Sequence, residues 1–308
     1  MSDGQSATRC GFVALIGAPN VGKSTLLNWM VGSKVSIVSP KVQTTRSRVL
    51  GIAMAGAAQI IFIDTPGVFA PKKRLERAMV SAAWGGARDA DEIVVLIDAR
   101  RGVEKDSRLI IDRLRRDRRS ATLAINKVDA VRRDSLLALV AELDRERLGS
   151  GEPLFGDSFM ISALTGDGVP DLRDFLVARL PEGPWHYPED QAADMPMRLL
   201  AAEITREKVF LQLSQELPYA VAVETEAWTD RNDGSTRVDQ IIYVRRDSQK
   251  MIVLGKGGRR IKAIGSASRL DLEQMLERRV HLFIHVKVRE GWQEDRERYS
   301  DLGLDFDV

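Results

Sequence analysis

The sequence predicts an α/β protein, a mostly parallel sheet with helices on both faces, followed by a smaller α+β domain. Three observations lead there. Short β-branched apolar runs alternate with helix-periodic segments up to Leu180, the pattern of repeated strand–helix–strand units. A glycine-containing loop, Gly17–Ser24, joins the first apolar run directly to the first helix-periodic segment. Beyond Leu180 the alternation stops, and Pro181, Gly183, Pro184, Pro188 and Pro196 punctuate a polar stretch.

Strands are expected at Phe12–Ile16, Ile60–Ile63, Ile93–Ile97, Leu123–Ile125 and Phe159–Ile161. Helices are expected at Lys23–Met30, Leu75–Trp84, Arg108–Arg115, Arg133–Leu148 and Val169–Leu180. A sheet of this kind binds ligands beyond the carboxyl ends of its strands. The proline-marked stretch reads as a linker over residues 181–197, dividing a domain of residues 1–180 from one of residues 198–308. In the second domain a helix is expected around Leu199–Gln215, with strands at Tyr219–Trp228 and Arg237–Val244. A short strand, Met251–Leu254, leads into the loop Gly255–Gly258; a helix around Arg259–Leu276 and a strand at His281–Val288 follow.

Length and composition agree with this division. The 308 residues exceed one ordinary core of roughly 100–200 residues. With 44% hydrophobic and 29% charged residues the chain is globular rather than disordered. The single cysteine, Cys10, excludes an intrachain disulfide and a cysteine-based zinc site, and suits a reducing cytoplasm. Gly11–Ala18 is apolar but shorter than the roughly 20 residues that span a bilayer, and it lacks the flanks of a signal peptide. The net charge of +2 says little by itself, because an acid-rich tail offsets a basic patch upstream. His281 and His285 read as packing residues rather than metal ligands.

The motifs sit at strand ends. In Gly17-Ala18-Pro19-Asn20-Val21-Gly22-Lys23-Ser24 the glycines let backbone N–H groups turn inward around phosphate oxygens, and the following helix adds its dipole. Lys23 is placed for the β- and γ-phosphates and Ser24 for Mg2+, with Asn20, Val21, Gly22 and Thr25 completing the phosphate-binding set. Asp64-Thr65-Pro66-Gly67 ends a strand, so Asp64 can serve Mg2+ directly or through water, and the Gly67 N–H can serve the γ-phosphate. Asn126-Lys127-Val128-Asp129 caps another strand. The Asp129 carboxylate can accept from both N1–H and N2–H2 of guanine, a donor pair adenine lacks, and a polar partner left unpaired by the wrong base discriminates strongly. Ser162-Ala163 can present backbone N–H groups to guanine O6. Between these motifs lies Val42-Gln43-Thr44-Thr45-Arg46, where a threonine that ligates Mg2+ only with the γ-phosphate present would act as a switch; Thr45 is favoured over Thr44.

In the second domain Gly255-Lys256-Gly257-Gly258 precedes a helix that opens with Arg259-Arg260-Ile261-Lys262. A G-x-x-G loop of this kind clamps about four nucleotides in a KH module. Arg245, Arg246, Lys250, Lys256, Arg259, Arg260, Lys262 and Arg269 face only Asp247 over that span. Gly255, Lys256, Gly257, Gly258, Arg259, Arg260 and Lys262 are therefore the candidate RNA-binding set.

On Gly17–Ser24, Gln43-Thr44-Thr45-Arg46, Asp64–Gly67, Asn126–Asp129, Ser162-Ala163 and the G-x-x-G domain, the chain resembles the translation-factor-related GTPases, and within them the Era-like GTPases, over nearly its whole length. The resemblance implies a Ras-like P-loop GTPase domain and a type II KH domain. It implies Mg2+-dependent hydrolysis of GTP to GDP, with Lys23, Asn20, Thr45 and Gly67 as the catalytic set and Ser24, Thr45 and Asp64 toward the metal. It also implies a role in maturing the small ribosomal subunit, through binding near the 3′ end of the small-subunit rRNA. The expected molecule is a cytoplasmic monomer, with peripheral association at the inner face of the cell membrane left open. Val68 stands where Ras-like enzymes place the glutamine that orients the attacking water, as it does in the Era-like GTPases, so that group is unassigned. In some relatives an asparagine at the place of Asn20 helps hold K+ beside the phosphates; the alternative is that Asn20 only fixes the loop. Two other readings stay open: a GTPase acting on a different RNA, and a GTP-gated switch whose basic domain binds protein or membrane.

Overall fold

The computed structural model describes residues 8–41, 45, 49–213, 217, 221–291, 296, 299 and 303–308. Among these, β1 (Arg9–Gly17), α1 (Lys23–Val31), β2 (Val49–Ala55), β3 (Ala58–Asp64), α2 (Arg74–Asp89), β4 (Glu92–Asp98), α3 (Lys105–Asp117), β5 (Ala121–Asn126), α4 (Arg133–Leu143), β6 (Phe155–Ile161) and α5 (Val169–Arg179) build one six-stranded sheet and its helices. The strand order is β2-β3-β1-β4-β5-β6, parallel throughout except for β2. Val13, Leu15 and Ile16 of β1, Ile60–Ile63 of β3 and Val94–Ile97 of β4 are sealed from solvent, as central strands covered on both faces must be. The reversal of order beside β1 puts the loop after β1 at the topological switch point, where such sheets take their ligands.

The antiparallel edge strand β2 is absent from the sequence reading. Its glycine and alanine content dilutes the β-branched signal, and it joins β3 by a two-residue turn at Gly56-Ala57. The proline-marked stretch extends this edge: Ala193 bridges Gly51, Ile52 N–H donates to Ala192 O (2.9 Å) and Asp194 N–H to Leu50 O (3.0 Å).

A second, three-stranded sheet contains β7 (Ala222–Asp230), β8 (Thr236–Val244) and β9 (Val280–Val288), with α6 (Met197–Gln212), α7 (Asp247–Leu254) and α8 (Arg259–Leu276). β7 and β8 are antiparallel; β8 and β9 are parallel, and the α7–loop–α8 stretch is their crossover. The expected strand Met251–Leu254 is instead the second half of helix α7. An apolar run of four has no readable period, and the polar residues Asp247–Lys250 supply the first turn, where Gln249 accepts the Arg245 N–H (2.8 Å). Val253 of that run is buried in the core, beside Ile242, Ile264 and Val286, with Leu254 partly buried against it; Met251 and Ile252 are exposed. The expected ends at Gln215 and Tyr219 lie outside the described residues, as do Gln43, Thr44 and Arg46.

Packing divides the chain into two units, Met1–Ser36 with Thr45–Asp194 and Leu302–Val308, and Ile37–Thr44 with Met195–Asp301. Within the second unit, Val38 N–H donates to Glu207 Oε1 (2.8 Å), and Lys41 Nζ donates to the carbonyls of Phe210 and Leu213. No described helix is long and apolar enough to cross a membrane.

Candidate nucleotide and RNA sites

The loop after β1 keeps its shape through two left-handed residues, Asn20 (φ 65°) and Gly22 (φ 103°). At Gly22 glycine is required twice over, because a Cβ there would also lie 2.2 Å from Asn126 Nδ2. Asn126 is the hub. Its Nδ2 donates to Val21 O (2.7 Å), while Oδ1 accepts the N–H groups of Lys127 (2.8 Å) and Ala163 (2.9 Å). One buried amide thus ties the phosphate loop, the Asn126–Asp129 turn and the Ser162-Ala163 turn together. It also means that the Ala163 N–H would be shared with any guanine oxygen; the Ser162 N–H already donates to Asp167 O (2.9 Å).

Lys23 opens α1 and is buried, with Nζ donating to Gly17 O and Ala18 O (3.1 Å each). Burial lowers its pKa to about 8, against the opposing pull of Asp64. Asp64, also sealed from solvent, accepts through Oδ2 from Ser24 (2.8 Å) and Ser36 (2.8 Å), with Thr45 at 3.5 Å. The Ser24 and Thr45 hydroxyls are 3.0 Å apart. Burial pushes the Asp64 carboxyl up, while Lys23 and the three hydroxyls oppose it. Asp64 Oδ1 is buried and meets no hydrogen-bond partner among the described residues. An unsatisfied carboxylate oxygen beside two hydroxyls is a donor set that suits a hard divalent cation, so Ser24, Thr45 and Asp64 fit Mg2+. Thr25 follows on α1 and is partly buried.

The Asp64–Gly67 turn closes against this loop. Val68 N–H donates to Gly17 O (3.1 Å), and a Cβ on Gly67 would stand 2.9 Å from the Pro19 backbone. The Val68 side chain is buried in the main core with Ile16 and Ile63, so it neither reaches nor orients water.

At the guanine end, Lys127 (φ 67°) donates from Nζ to Asn20 O and to Asp98 Oδ2 (2.7 Å). Arg100 grips the same carboxylate from its N–H (3.0 Å), Nε (3.1 Å) and Nη2 (2.9 Å). Asp129 is exposed on the short turn Val128–Ala130, as a carboxylate awaiting an external donor pair would be. Sequence reasoning missed Asn28, Ser36, Asp98 and Arg100. For Asp98 a signal existed, an acid at the carboxyl end of a central strand. For Asn28 and Ser36 there was none.

In the second unit, Gly255, Gly257 and Gly258 all have positive φ (70°, 61° and 73°), which turns the chain from α7 into α8. Lys256 and Lys262 are exposed. Arg260 Nη1 donates to Ile252 O (2.7 Å) near the end of α7. Arg259 Nε reaches Lys256 O at 3.3 Å, a longer contact that an anion could displace.

Known proteins share both halves. A family model described as 50S ribosome-binding GTPase matches residues 12–127, and a KH domain model matches residues 216–293. The chain is 58% identical over 303 residues to GTPase Era of Rhizobium meliloti (strain 1021), a match covering 98% of this chain and 95% of that protein. Era solved with MgGDPNP and nucleotides 1506–1542 of 16S ribosomal RNA superposes with a TM-score of 0.89 at 38% identity, over 96% of this chain and 99% of that one. A variant of Aquifex aeolicus Era bound to GDP and AlF4− superposes with a TM-score of 0.88, also at 38% identity and over the same shares of the two chains. Fold and site together define a P-loop GTPase carrying a C-terminal KH domain. Within that class, the chain belongs to the Era family of GTPases.

Proposed function

We propose that this chain binds GTP at the carboxyl ends of β1, β3, β5 and β6, hydrolyses it with Mg2+, and uses that cycle to control binding of small-subunit rRNA near its 3′ end during assembly of the small ribosomal subunit. One observation carries the reading: the likeness to Era solved with MgGDPNP and 16S rRNA runs through nearly the whole of both chains, RNA-binding half included.

In this reading residues 1–180 are the GTPase domain, 181–197 the linker and 198–308 the KH domain, in a cytoplasmic protein. Asn20, Val21, Gly22, Lys23, Ser24 and Thr25 hold the phosphates; Asn126, Lys127, Asp129, Ser162 and Ala163 hold the guanine. Mg2+ held by Ser24, Thr45 and Asp64 supplies positive charge at the phosphate oxygens. Lys23 adds a fixed cation where negative charge develops, and the Gly67 N–H serves as a further donor. With Val68 in the core, the attacking water is placed by other groups, and a K+ ion beside Asn20 is one source of the remaining charge. Equal hydrolysis rates in K+ and Na+ buffers would leave Asn20 a loop-fixing residue. At the RNA end, Lys256, Arg259 and Lys262 around the three glycines serve the phosphate backbone, and Arg260 braces the loop.

Coupling between the two ligands must be reciprocal: a nucleotide that tightens RNA binding is itself bound more tightly by the same factor in the presence of RNA. The test is binding of an oligonucleotide with the 3′-terminal small-subunit rRNA sequence, against a scrambled one, with GTP analogue or GDP bound, at two salt concentrations. Tighter, sequence-dependent binding in the GTP-analogue state is expected, weakening as salt rises. Identical affinity in both nucleotide states refutes the control. No binding in either state moves the search to protein or lipid partners.

A further inference from the structure

We propose that Ser36 is a positioning residue for the Asp64 carboxylate; the proposal rests on reading Asp64 and Thr45 as the Mg2+ side of the site. Ser36 and Thr45 flank residues 37–44, and both hydroxyls reach the same oxygen, Asp64 Oδ2, at 2.8 Å and 3.5 Å. The same carboxylate oxygen therefore meets both hydroxyls, closely at Ser36 and marginally at Thr45.

The two ends are not equivalent. Ser36 is buried and its backbone is clamped by Asn28: Oδ1 accepts the N–H groups of Val35 (3.0 Å) and Ser36 (2.9 Å), and Nδ2 donates to Ser36 O (2.8 Å). Asn28 belongs to α1, the helix that begins with Lys23 and Ser24. Ser36 is thus carried by the same rigid element as the phosphate loop. Thr45 has a 3.0 Å contact with Ser24 and only a marginal one with Asp64. A metal ion that recruited the Thr45 hydroxyl would therefore cost Asp64 only this marginal contact, and the Ser36 bond would remain. Ser36 shares Oδ2 with Ser24, and Oδ1, buried and without a partner among the described residues, is the oxygen left available to the cation.

The chemistry dictates the consequence. A short hydrogen bond from a buried hydroxyl orients a carboxylate, and an oriented carboxylate binds a cation more tightly than one free to rotate. The effect must appear in Mg2+ dependence rather than in nucleotide affinity as such, because Ser36 makes no hydrogen bond to the phosphate loop itself.

The experiment is a Mg2+ titration of fluorescent GDP-analogue binding to the full chain, with EDTA controls, for wild type and for the Ser36→Ala and Ser36→Thr variants, alongside thermal denaturation. Ser36→Ala is expected to need about tenfold more Mg2+ for half-maximal effect, the size of a lost hydrogen bond to a charged group. Its affinity in EDTA should match wild type, and Ser36→Thr, which keeps the hydroxyl, should recover most of the difference. An unchanged Mg2+ requirement in Ser36→Ala overturns the proposal. So does an equal loss of affinity with and without Mg2+, which marks a packing role alone. If Ser36→Ala does not fold, Ser36→Cys carries the same test, with an intermediate Mg2+ requirement expected and a wild-type one decisive against. Wild-type binding that ignores Mg2+ would instead refute the underlying assignment of Asp64, a separate failure.

Discussion

Lys23, Ser36, Asp64 and Asn126 are sealed from solvent and tied to named partners, whereas Lys256 and Lys262 stand in solvent around a loop of three left-handed glycines. The contrast follows from the ligands. A nucleotide is small and densely charged, and it is gripped by donors that must be in place before it arrives, because reorganising buried groups on binding would cost affinity. A nucleic acid backbone is long and is met at the surface, where charge attracts it and glycines let it come close. The first site is therefore part of the folded core, and the second is an attachment to it. Substitutions should separate the two: those in the first should damage stability and binding together, those in the second binding alone.

The largest effect is expected at Gly22. Ala in its place would combine a strained φ with a Cβ 2.2 Å from Asn126 Nδ2. Unfolding in denaturant should show a loss of about 2–4 kcal/mol, and calorimetry no measurable nucleotide binding. A Gly22→Ala protein with wild-type affinity would break the contrast. Next comes Asp129, which is exposed although it is proposed for the nucleotide site. Asp129→Asn should hold stability within about 0.5 kcal/mol while GTP affinity falls roughly a thousandfold and xanthine nucleotides gain. Competition binding reads both, and equal GTP affinity would remove Asp129 from guanine recognition.

A smaller effect is expected at Asp98. Burial raises its carboxyl pKa, but the hydrogen bonds from Arg100 and Lys127 outweigh that and hold it at about 2, against an ordinary 3.8. The unfolded chain takes up this proton first as pH falls, so the stability from Asp98 is present above about pH 4 and is lost as pH drops through about 2. Acid titration of unfolding free energy should show a limb of about 2 kcal/mol that Asp98→Asn lacks. An identical acid limb in the variant would mean the ion pair adds nothing. Smallest is Lys256→Ala, for which the melting temperature should not move and the salt slope of oligonucleotide binding should flatten by about 0.7, one phosphate contact on a single strand. An unaltered slope would take Lys256 out of the RNA site.

Both sites were legible where their residues are contiguous. Gly17–Ser24, Asp64–Gly67, Asn126–Asp129 and Gly255–Gly258 are short stretches whose backbone turns need glycine or follow directly on a strand, so the chemistry is written locally. Asn28 and Ser36 were invisible because a buried polar pair is defined by its partner. Nothing near Ser36 in the chain announces a carboxylate 28 positions away. Arg260 shows a related limit: beside a G-x-x-G loop it reads as an RNA ligand, and the structure adds that its Nη1 also donates to the Ile252 carbonyl, which no sequence signal announced. The run Met251–Leu254 is too short to distinguish helix from strand by period, and packing decided it, with Val253 in the core and Leu254 partly buried against it.

What the sequence determined by itself was the sheet with helices on both faces and the second domain, and it marked the residues proposed for both sites, since periodicity and local turn chemistry act over a few residues. Tertiary structure decided the rest. It set the antiparallel edge strand β2, the joining of three motifs through the Asn126 amide, and the hydrogen bond from Ser36 to Asp64. It also left Asp64 Oδ1 without a hydrogen-bond partner among the described residues. Each of these depends on burial, and a polar group becomes obligated to a particular partner only once packing has taken water away.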